Sequence, residues 1–183
     1  MRIELLTCED ATARLPELGG LLSDAVHNGA SVGFVLPFAH GEVEGYWQKV
    51  CADVAIGHRL LLAALDDTGR LIGSAQLVLE ARANGRHRAE VQKVMVLGAQ
   101  RGHGIGAALM AQVEAEARRH GRTLLYLDTS VGEAGATKFY GRLGYTHVGG
   151  IPGFAANPDG SLVANAIFYK QLAAQTLGSA GDW

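Results

Sequence analysis

The sequence predicts an α+β fold with a mixed sheet, and three patterns support that prediction. Two strand-like runs, at 59–65 and 70–80, are joined by Asp-Asp-Thr-Gly, which favours a hairpin turn. A third run at 87–97 follows an Asn-Gly reversal, which completes an antiparallel meander. A glycine-rich turn, an amphipathic helix and a strand at 123–128 come next, and this order indicates a βαβ unit with a parallel strand pair.

The remaining elements are predicted from periodicity and from Gly, Asn and Pro breakers. They are a strand at 2–7, a helix capped by Asp10 with Leu15, Leu18, Leu21, Leu22 and Val26 on its apolar face, a loop at 28–33, a helix at 41–56, a helix ended by Gly121, a helix at 134–143, a strand at 145–148 and a last strand at 164–172. The chain shows no repeat or linker, so a single domain is expected at 1–172, followed by a tail at 173–183.

Composition excludes several classes of function. The net charge of −2 argues against nucleic-acid binding, and no run approaches the roughly 20 apolar residues of a membrane span. The first ten residues lack the pattern of a secretory signal, so we expect a cytoplasmic protein with Cys8 and Cys51 reduced. His87 and Glu90 point to opposite faces of a strand, so no metal site is expected. A monomer and a homodimer both remain open.

The glycine-rich turn predicts an anion site. Its residues are Arg101, Gly102, His103, Gly104, Ile105 and Gly106. Glycines leave backbone N–H groups unobstructed, and a helix N-terminus adds about half a positive charge, which suits a pyrophosphate. The alternatives are a tight turn without a ligand and a dinucleotide fingerprint of the form G-x-G-x-x-A. The preceding meander and the four-residue lead-in at 97–100 argue against the fingerprint.

Two runs carry a resemblance to a known family. The run 94–109, Val-Met-Val-Leu-Gly-Ala-Gln-Arg-Gly-His-Gly-Ile-Gly-Ala-Ala-Leu, resembles motif A of the GNAT N-acetyltransferases. The run 136–145, Ala-Thr-Lys-Phe-Tyr-Gly-Arg-Leu-Gly-Tyr, resembles their motif B. The resemblance implies the GNAT fold, with a central, mostly antiparallel sheet and flanking helices. It also implies acetyl-CoA as cosubstrate, and no metal.

Segments 26–34, 89–93, 152–154 and 158–160 are similar to the tabtoxin resistance acetyltransferases. That subgroup acetylates tabtoxinine, a β-lactam antimetabolite. The resemblance therefore implies a small-molecule amine acceptor, with an antibiotic or toxin as one possibility. A peptide N-acetyltransferase and a non-catalytic acetyl-CoA sensor are the alternatives.

Acetyl transfer to an amine needs a base and an acid. The resemblance implies Glu90 as the base and Tyr140 as the acid that protonates the thiolate, since a phenol has a pKa of about 10. Asp128 ends the strand after motif A, where it would bind a cationic substrate or share the role of base. The alternatives are a strand carboxylate paired with Arg88 or Lys93 for Glu90, a core aromatic for Tyr140 and a strand-end turn for Asp128. On strand alternation one face is expected to hold Glu90, Gln92, Val94 and Val96.

Two further sets of binding residues are expected. For the coenzyme they are the backbone of Val94, Met95 and Val96, the turn 101–106, and Lys138, with a solvated lysine as the alternative for the last. The family often has an Asn before motif B, where this chain has Gly-Glu-Ala-Gly at 132–135. Candidate walls of the acceptor pocket are Ser31, Val32, Phe34, Trp47, Phe154 and Asn157, with core packing as the alternative for Trp47.

Overall fold

A computed structural model describes residues 1–130 and 136–173 of the chain. The helices are α1 Cys8–Ala13, α2 Leu15–His27, α3 Glu42–Ala55, α4 Ile105–Arg119 and α5 Ala136–Arg142. The strands are β1 Arg2–Leu6, β2 Arg59–Leu65, β3 Leu71–Leu79, β4 Arg88–Val96, β5 Leu124–Ser130, β6 Thr146–Gly149, β7 Ala155–Ala156, β8 Leu162–Val163 and β9 Asn165–Gln171. The sequence at 132–135 and most of the predicted tail lie outside the described residues.

Seven strands form one sheet in the order β1-β2-β3-β4-β5-β9-β6. The pairs from β1 to β4 are antiparallel, as are β5–β9 and β9–β6, whereas β4 and β5 run parallel. The prediction of an α+β fold with a mixed sheet is therefore confirmed. The β7–β8 hairpin was not predicted, because strands of two residues leave no periodic pattern.

The amino-terminal helix differs from its prediction. Thr7, not Asp10, is the N-cap, and the two side chains form a reciprocal capping box with the backbone. The helix ends at Ala13, and a second one begins at Leu15 with Pro16 in its first turn. Asp10 is thus the third helical residue, a position that also suits a carboxylate near a helix N-terminus.

Each face of the sheet has its own core. On one face α4 packs Leu109, Met110 and Val113 against the central strands. On the other face α1, α2 and α3 bury a second cluster, in which Leu22 and Trp47 are almost fully enclosed. Cys8 and Cys51 are free thiols. No helix of the described residues is long and apolar enough to cross a membrane.

A β-bulge interrupts β4. Gln92 lies opposite Gln76, but Met95 lies opposite Ser74, so two residues of β4 face one residue of β3 between these pairs. Lys93 occupies the bulge with a φ of 50°, the left-handed region that non-glycine residues seldom adopt. Its side chain consequently leaves the regular alternation of the strand.

The bulge overturns the expected common face. Val91 packs into the core beneath α4, and beyond the bulge it is Val94 and Val96 that pack there. Glu90 and Gln92 alternate with Val91 and point to the opposite face. A single inserted residue therefore separates the polar pair from the apolar pair, which strict alternation had placed together.

Gly150, between β6 and β7, packs closely against the start of β9. A Cβ on Gly150 would overlap the carbonyl oxygen of Asn165, whose side-chain oxygen also accepts the backbone N–H of Ile151 at 2.8 Å. We expect Gly150→Ala to lower the free energy of unfolding by about 2–3 kcal/mol in urea titrations. Gly20→Ala is the control, because nothing lies within 4 Å of its Cβ position, and it should stabilise α2 by up to about 1 kcal/mol. Equal stability of the two variants would contradict this packing.

Candidate active site

The parallel strands β4 and β5 separate soon after they meet. Their pairing covers Arg88–Leu124, Ala89–Leu125 and Glu90–Tyr126, and β4 continues to Val96 without a partner on that side. A cleft of about 1000 Å³ lies where they part. Its lining comes from the loop at 28–33, β4, the glycine-rich turn, the end of β5, α5 and the β7–β8 hairpin.

The glycine-rich turn lies along one part of the cleft. Gly102 and Gly104 have φ of 83° and 79°, and Gly104 is the N-cap of α4 without a side-chain cap. Among the described residues, no hydrogen bond uses the backbone N–H groups of residues 102–107. A run of free donors at the positive end of a 15-residue helix can receive an anion. Binding of a pyrophosphate at this turn stays a prediction from the sequence.

Neighbouring contacts fix the position of this turn. The backbone N–H of Gly98 donates to Asp24 at 2.8 Å, which ties the lead-in to α2. Gly106 lies against the ring of Phe139. A Cβ on Gly106 would stand 3.3 Å from that ring, so α5 approaches the start of α4 closely. Arg101 is exposed, and its Nε donates to the Val96 carbonyl at 3.4 Å.

The free edge of β4 forms a second part of the cleft. The backbone of Met95 and Val96 pairs with β3 on one side, while the other side faces the gap left by β5. Together with Val94 these residues line the cleft. An unpaired strand edge presents N–H and C=O groups at regular spacing, so an extended ligand with amide groups can pair with it.

Both predicted carboxylates line the same cleft. Glu90 is half-buried and accepts a hydrogen bond from the hydroxyl of Tyr126 at 3.4 Å. The alternative pairing with Arg88 is not seen, because that guanidinium binds Glu80 at 3.0 Å. Asp128 is exposed and follows Tyr126 by two residues, on the same face of β5.

Lys93 lies in the cleft close to these carboxylates. Its ammonium is 5.8 Å from the centroid of the Tyr46 ring. Burial lowers the pKa of Lys93 and the nearby charge of Arg59 lowers it further, whereas Asp128 and Glu90 act in the opposite direction. The sequence reasoning treated this lysine only as a partner for Glu90, because the bulge that turns it into the cleft was not foreseen.

Tyr140 is buried on α5 and lines the cleft. Its ring contacts Phe139, Tyr145 and Phe168, with centroid distances of 5.0, 5.9 and 5.6 Å. Aromatic packing of this kind holds the ring in one orientation. The residue is thus a core aromatic and a cleft residue at once, so the two interpretations of the sequence do not exclude each other.

The structure brings most of the predicted binding residues together and leaves five outside. Ser31, Val32 and Phe154 line the cleft, as do the coenzyme residues other than His103 and Lys138. Phe34 and Trp47, predicted as pocket walls, are instead core residues that are 7% and 1% exposed. The side-chain amide of Asn157 donates a hydrogen bond to the hydroxyl of Ser161 at 3.1 Å, within the same turn, and does not line the cleft. His103 and Lys138 are exposed and do not line the cleft.

Some cleft residues were missed by the sequence reasoning. Besides Lys93 they include Thr129 and Arg142, which line the cleft. Tyr126 was also missed; it is not a lining residue, but its hydroxyl donates to Glu90. The alternation of β5 places Tyr126 on the face of Asp128, so strand periodicity held a usable signal for it. Within residues 1–130 and 136–173 no three His, Cys, Asp or Glu side chains are grouped to hold a metal ion.

Comparisons with known proteins agree with this geometry. Residues 36–145, more than half of the chain, match the model of the acetyltransferase (GNAT) family. An uncharacterized N-acetyltransferase in the hisH-hisA intergenic region of Azospirillum brasilense is 37% identical over 119 residues, which cover 64% of this chain and 68% of that protein. An aminoalkylphosphonate N-acetyltransferase of Salmonella typhimurium is 43% identical over 56 residues, 31% of this chain and 36% of that one.

The fold is also shared with solved structures. The ribosomal-protein-alanine N-acetyltransferase of Brucella melitensis superposes with a TM-score of 0.78 at 24% identity, over 94% of this chain and all of that one. The likeness covers the sheet and the helices on both of its faces. From the family match and the Azospirillum relative together, the chain belongs to the GNAT family of N-acetyltransferases.

Proposed function

We propose that the protein transfers an acetyl group from acetyl-CoA to the amino group of a small molecule. The observation that supports this most is the single cleft that combines free backbone donors of the glycine-rich turn, an unpaired strand edge, two carboxylates and Tyr140. Each group matches one requirement of acetyl transfer: a site for the coenzyme, a base and an acid.

The backbone holds the coenzyme in this proposal. Acetyl-CoA, when bound, supplies the activated thioester. The N–H groups of residues 102–107 bind its pyrophosphate, and Arg101 adds a positive charge at the same turn. The free edge of Val94 to Val96 pairs with the amide groups of the pantetheine arm. One backbone N–H of Met95 or Val96 stabilises the negative charge that develops on the thioester oxygen.

The side chains carry the proton transfers. A primary amine is mostly protonated at neutral pH, so it must lose a proton before it attacks. Glu90 accepts that proton, directly or through a water, while Asp128 at the exposed rim binds the ammonium group. As the C–N bond forms and the C–S bond breaks, Tyr140 donates its hydroxyl proton to the departing thiolate.

A small acceptor is preferred to a peptide for two reasons. The loop at 28–33 and Phe154 both border the cleft, which leaves its acceptor end walled on two sides. The Salmonella typhimurium relative is named for an aminoalkylphosphonate, which is a small molecule. A toxin or antibiotic as the acceptor, a cytoplasmic location and the choice between monomer and homodimer remain predictions from the sequence.

Backbone conformation at the turn gives a direct test of coenzyme binding. Gly104→Ala places a side chain at a φ of 79° and disturbs the donors that follow, so we expect CoA to bind about tenfold more weakly by calorimetry, a loss of about 1.4 kcal/mol. Gly121→Ala, at a φ of 68° beyond the other end of α4, has the same strain and should leave CoA affinity unchanged. Equal affinity of the two variants for CoA would place the pyrophosphate elsewhere.

Thiol release from acetyl-CoA tests the function itself. We expect release with at least one amine among amino acids, aminophosphonates, β-lactam dipeptides and peptide N-termini. Tyr140→Phe should lower kcat by about 10²–10⁴ while CoA affinity stays the same, because only the proton donor is lost. Tyr145→Phe, on an adjacent ring outside the cleft lining, is the matched control with normal kcat. Tight CoA binding without release for any amine would instead indicate a sensor.

The roles of Glu90 and Asp128 are distinguished by whether substitution of each one changes kcat or KM. Glu90→Gln should lower kcat by about 10²–10⁴, since the base is lost. Asp128→Asn should raise the KM of the amine by about tenfold and leave kcat within a small factor, since one ionic contact is lost. The reverse pattern would assign the base to Asp128.

A further inference from the structure

Lys93 is a half-buried cation without a bound anion. Among the described residues, no carboxylate lies within 4.0 Å of its ammonium, which faces the ring of Tyr46. A partly desolvated charge that lacks a hydrogen-bonded counterion costs folding free energy. An anionic ligand that binds this group in the folded protein would offset that cost.

The bulge and the loop at 28–33 fix where this ammonium lies. The φ of 50° at Lys93 turns the side chain out of the strand, and a Cβ on Gly33 would stand 3.5 Å from Nζ. Ser31 and Val32 of the same loop line the cleft. The ammonium is therefore on the acceptor side of β4, whereas Arg101 is at the turn that receives the coenzyme.

Hydrogen bonds hold the surroundings of Lys93 in place. Gln76 donates to the hydroxyl of Tyr46 at 2.9 Å, and Arg59 donates to Gln92 at 3.2 Å. Arg59 is itself neutralised by Asp53 at 3.1 Å. Arg59 has an anion and does not line the cleft. Lys93 does line the cleft, feels the charges of Glu90 and Asp128, and has no salt bridge within the described residues, so it can bind a ligand.

We propose that Lys93 binds an oxyanion of the acceptor, so that the preferred substrates are amines that also carry a carboxylate or a phosphonate. The carboxylates of Glu90 and Asp128 receive the ammonium end of such a zwitterion, and Lys93 receives the anionic end. This inference rests on the proposed acetyltransferase function and narrows its substrate class. A lysine placed as a general base is the competing role for the same side chain.

Paired acceptors test the inference. Amino acids are compared with their carboxamides, and 2-aminoethylphosphonate with ethanolamine, by thiol release from acetyl-CoA. We expect wild-type kcat/KM to be at least about tenfold higher for the anionic member, as one charge-assisted hydrogen bond supplies. Lys93→Met should remove that preference by raising KM for the anionic member alone. Lys93→Arg should retain part of it, and Lys49→Met, on the exposed face of α3, should change nothing.

Three outcomes overturn the inference. The first is a wild-type preference for the neutral amines, which leaves the proposed function intact. The second is an equal loss of kcat/KM for the anionic and the neutral member of each pair in Lys93→Met. The third is a fall in kcat without a change in KM, which would assign Lys93 to the base role.

A binding measurement keeps the test informative if no amine is acetylated. N-acetylglycine and N-acetylglycinamide serve as probes of CoA-loaded protein in thermal unfolding. We expect only the acid to raise the Tm of wild type, and neither probe to raise that of Lys93→Met. Equal shifts with acid and amide would contradict an anion site, whereas absent turnover alone would contradict only the proposed function.

Stability gives a readout that a purely structural lysine would not produce. Lys93→Met keeps an unbranched side chain at the bulge and removes the uncompensated charge, so its Tm at neutral pH should exceed that of wild type by a few degrees. The pKa of Lys93 is lowered in the folded state, so the unfolded state holds the proton to higher pH. The difference in Tm should therefore narrow as pH rises toward about 10. A lower Tm for the variant would show that the lysine supports the fold.

Discussion

The parting of β4 from β5 is the constraint on which the rest of the structure depends. Parallel pairing is limited to the three pairs at 88–90 and 124–126, and beyond them each strand has a free edge. A free edge in a protein interior leaves backbone groups without hydrogen bonds, which is costly unless a ligand or water completes them. Helices cover both faces of the sheet next to this gap, with α4 over one core and the pair α2–α3 over the other.

The bulge at Lys93 is the second constraint. It reverses which residues of β4 point to each face of the sheet. Before it, Glu90 and Gln92 face the side of α2 and α3. After it, Val94 and Val96 pack beneath α4, whereas Met95 packs in the core on the other face. Without the inserted residue, Lys93 would lie either in a core or on the face away from the acceptor side. The positive φ of a lysine is the conformational cost of this arrangement.

The sequence predicted the mixed sheet and most of its element order. Of the predicted coenzyme residues all but His103 and Lys138 line the cleft, whereas of the predicted pocket walls only Ser31, Val32 and Phe154 do. Repeated glycines before a helix and the Phe-Tyr pair of α5 are local signals, readable without knowledge of tertiary contacts. A bulge is one extra residue in a strand and leaves no mark on periodicity over nine residues. Trp47 was predicted as a pocket wall with core packing as the alternative, since helical spacing shows that a side chain is apolar but not which apolar space it fills. The loop around Phe34 has no periodicity from which its burial could be predicted.

This division follows from the kind of group that each ligand needs. In the proposed function, backbone N–H groups bind the pyrophosphate and pantetheine of the coenzyme, so glycines and strand edges suffice and their pattern is visible in the sequence. The proposed acceptor contacts are side chains that several elements bring to the cleft: Glu90 and Lys93 from β4, Asp128 from β5 and Ser31 from the loop after α2. Charges held apart in this way destabilise the empty protein, and the binding of a ligand with complementary charges removes that cost. The acceptor side of the cleft therefore retains the unpaired charge of Lys93, and we expect that charge to be the property by which the substrate is recognised.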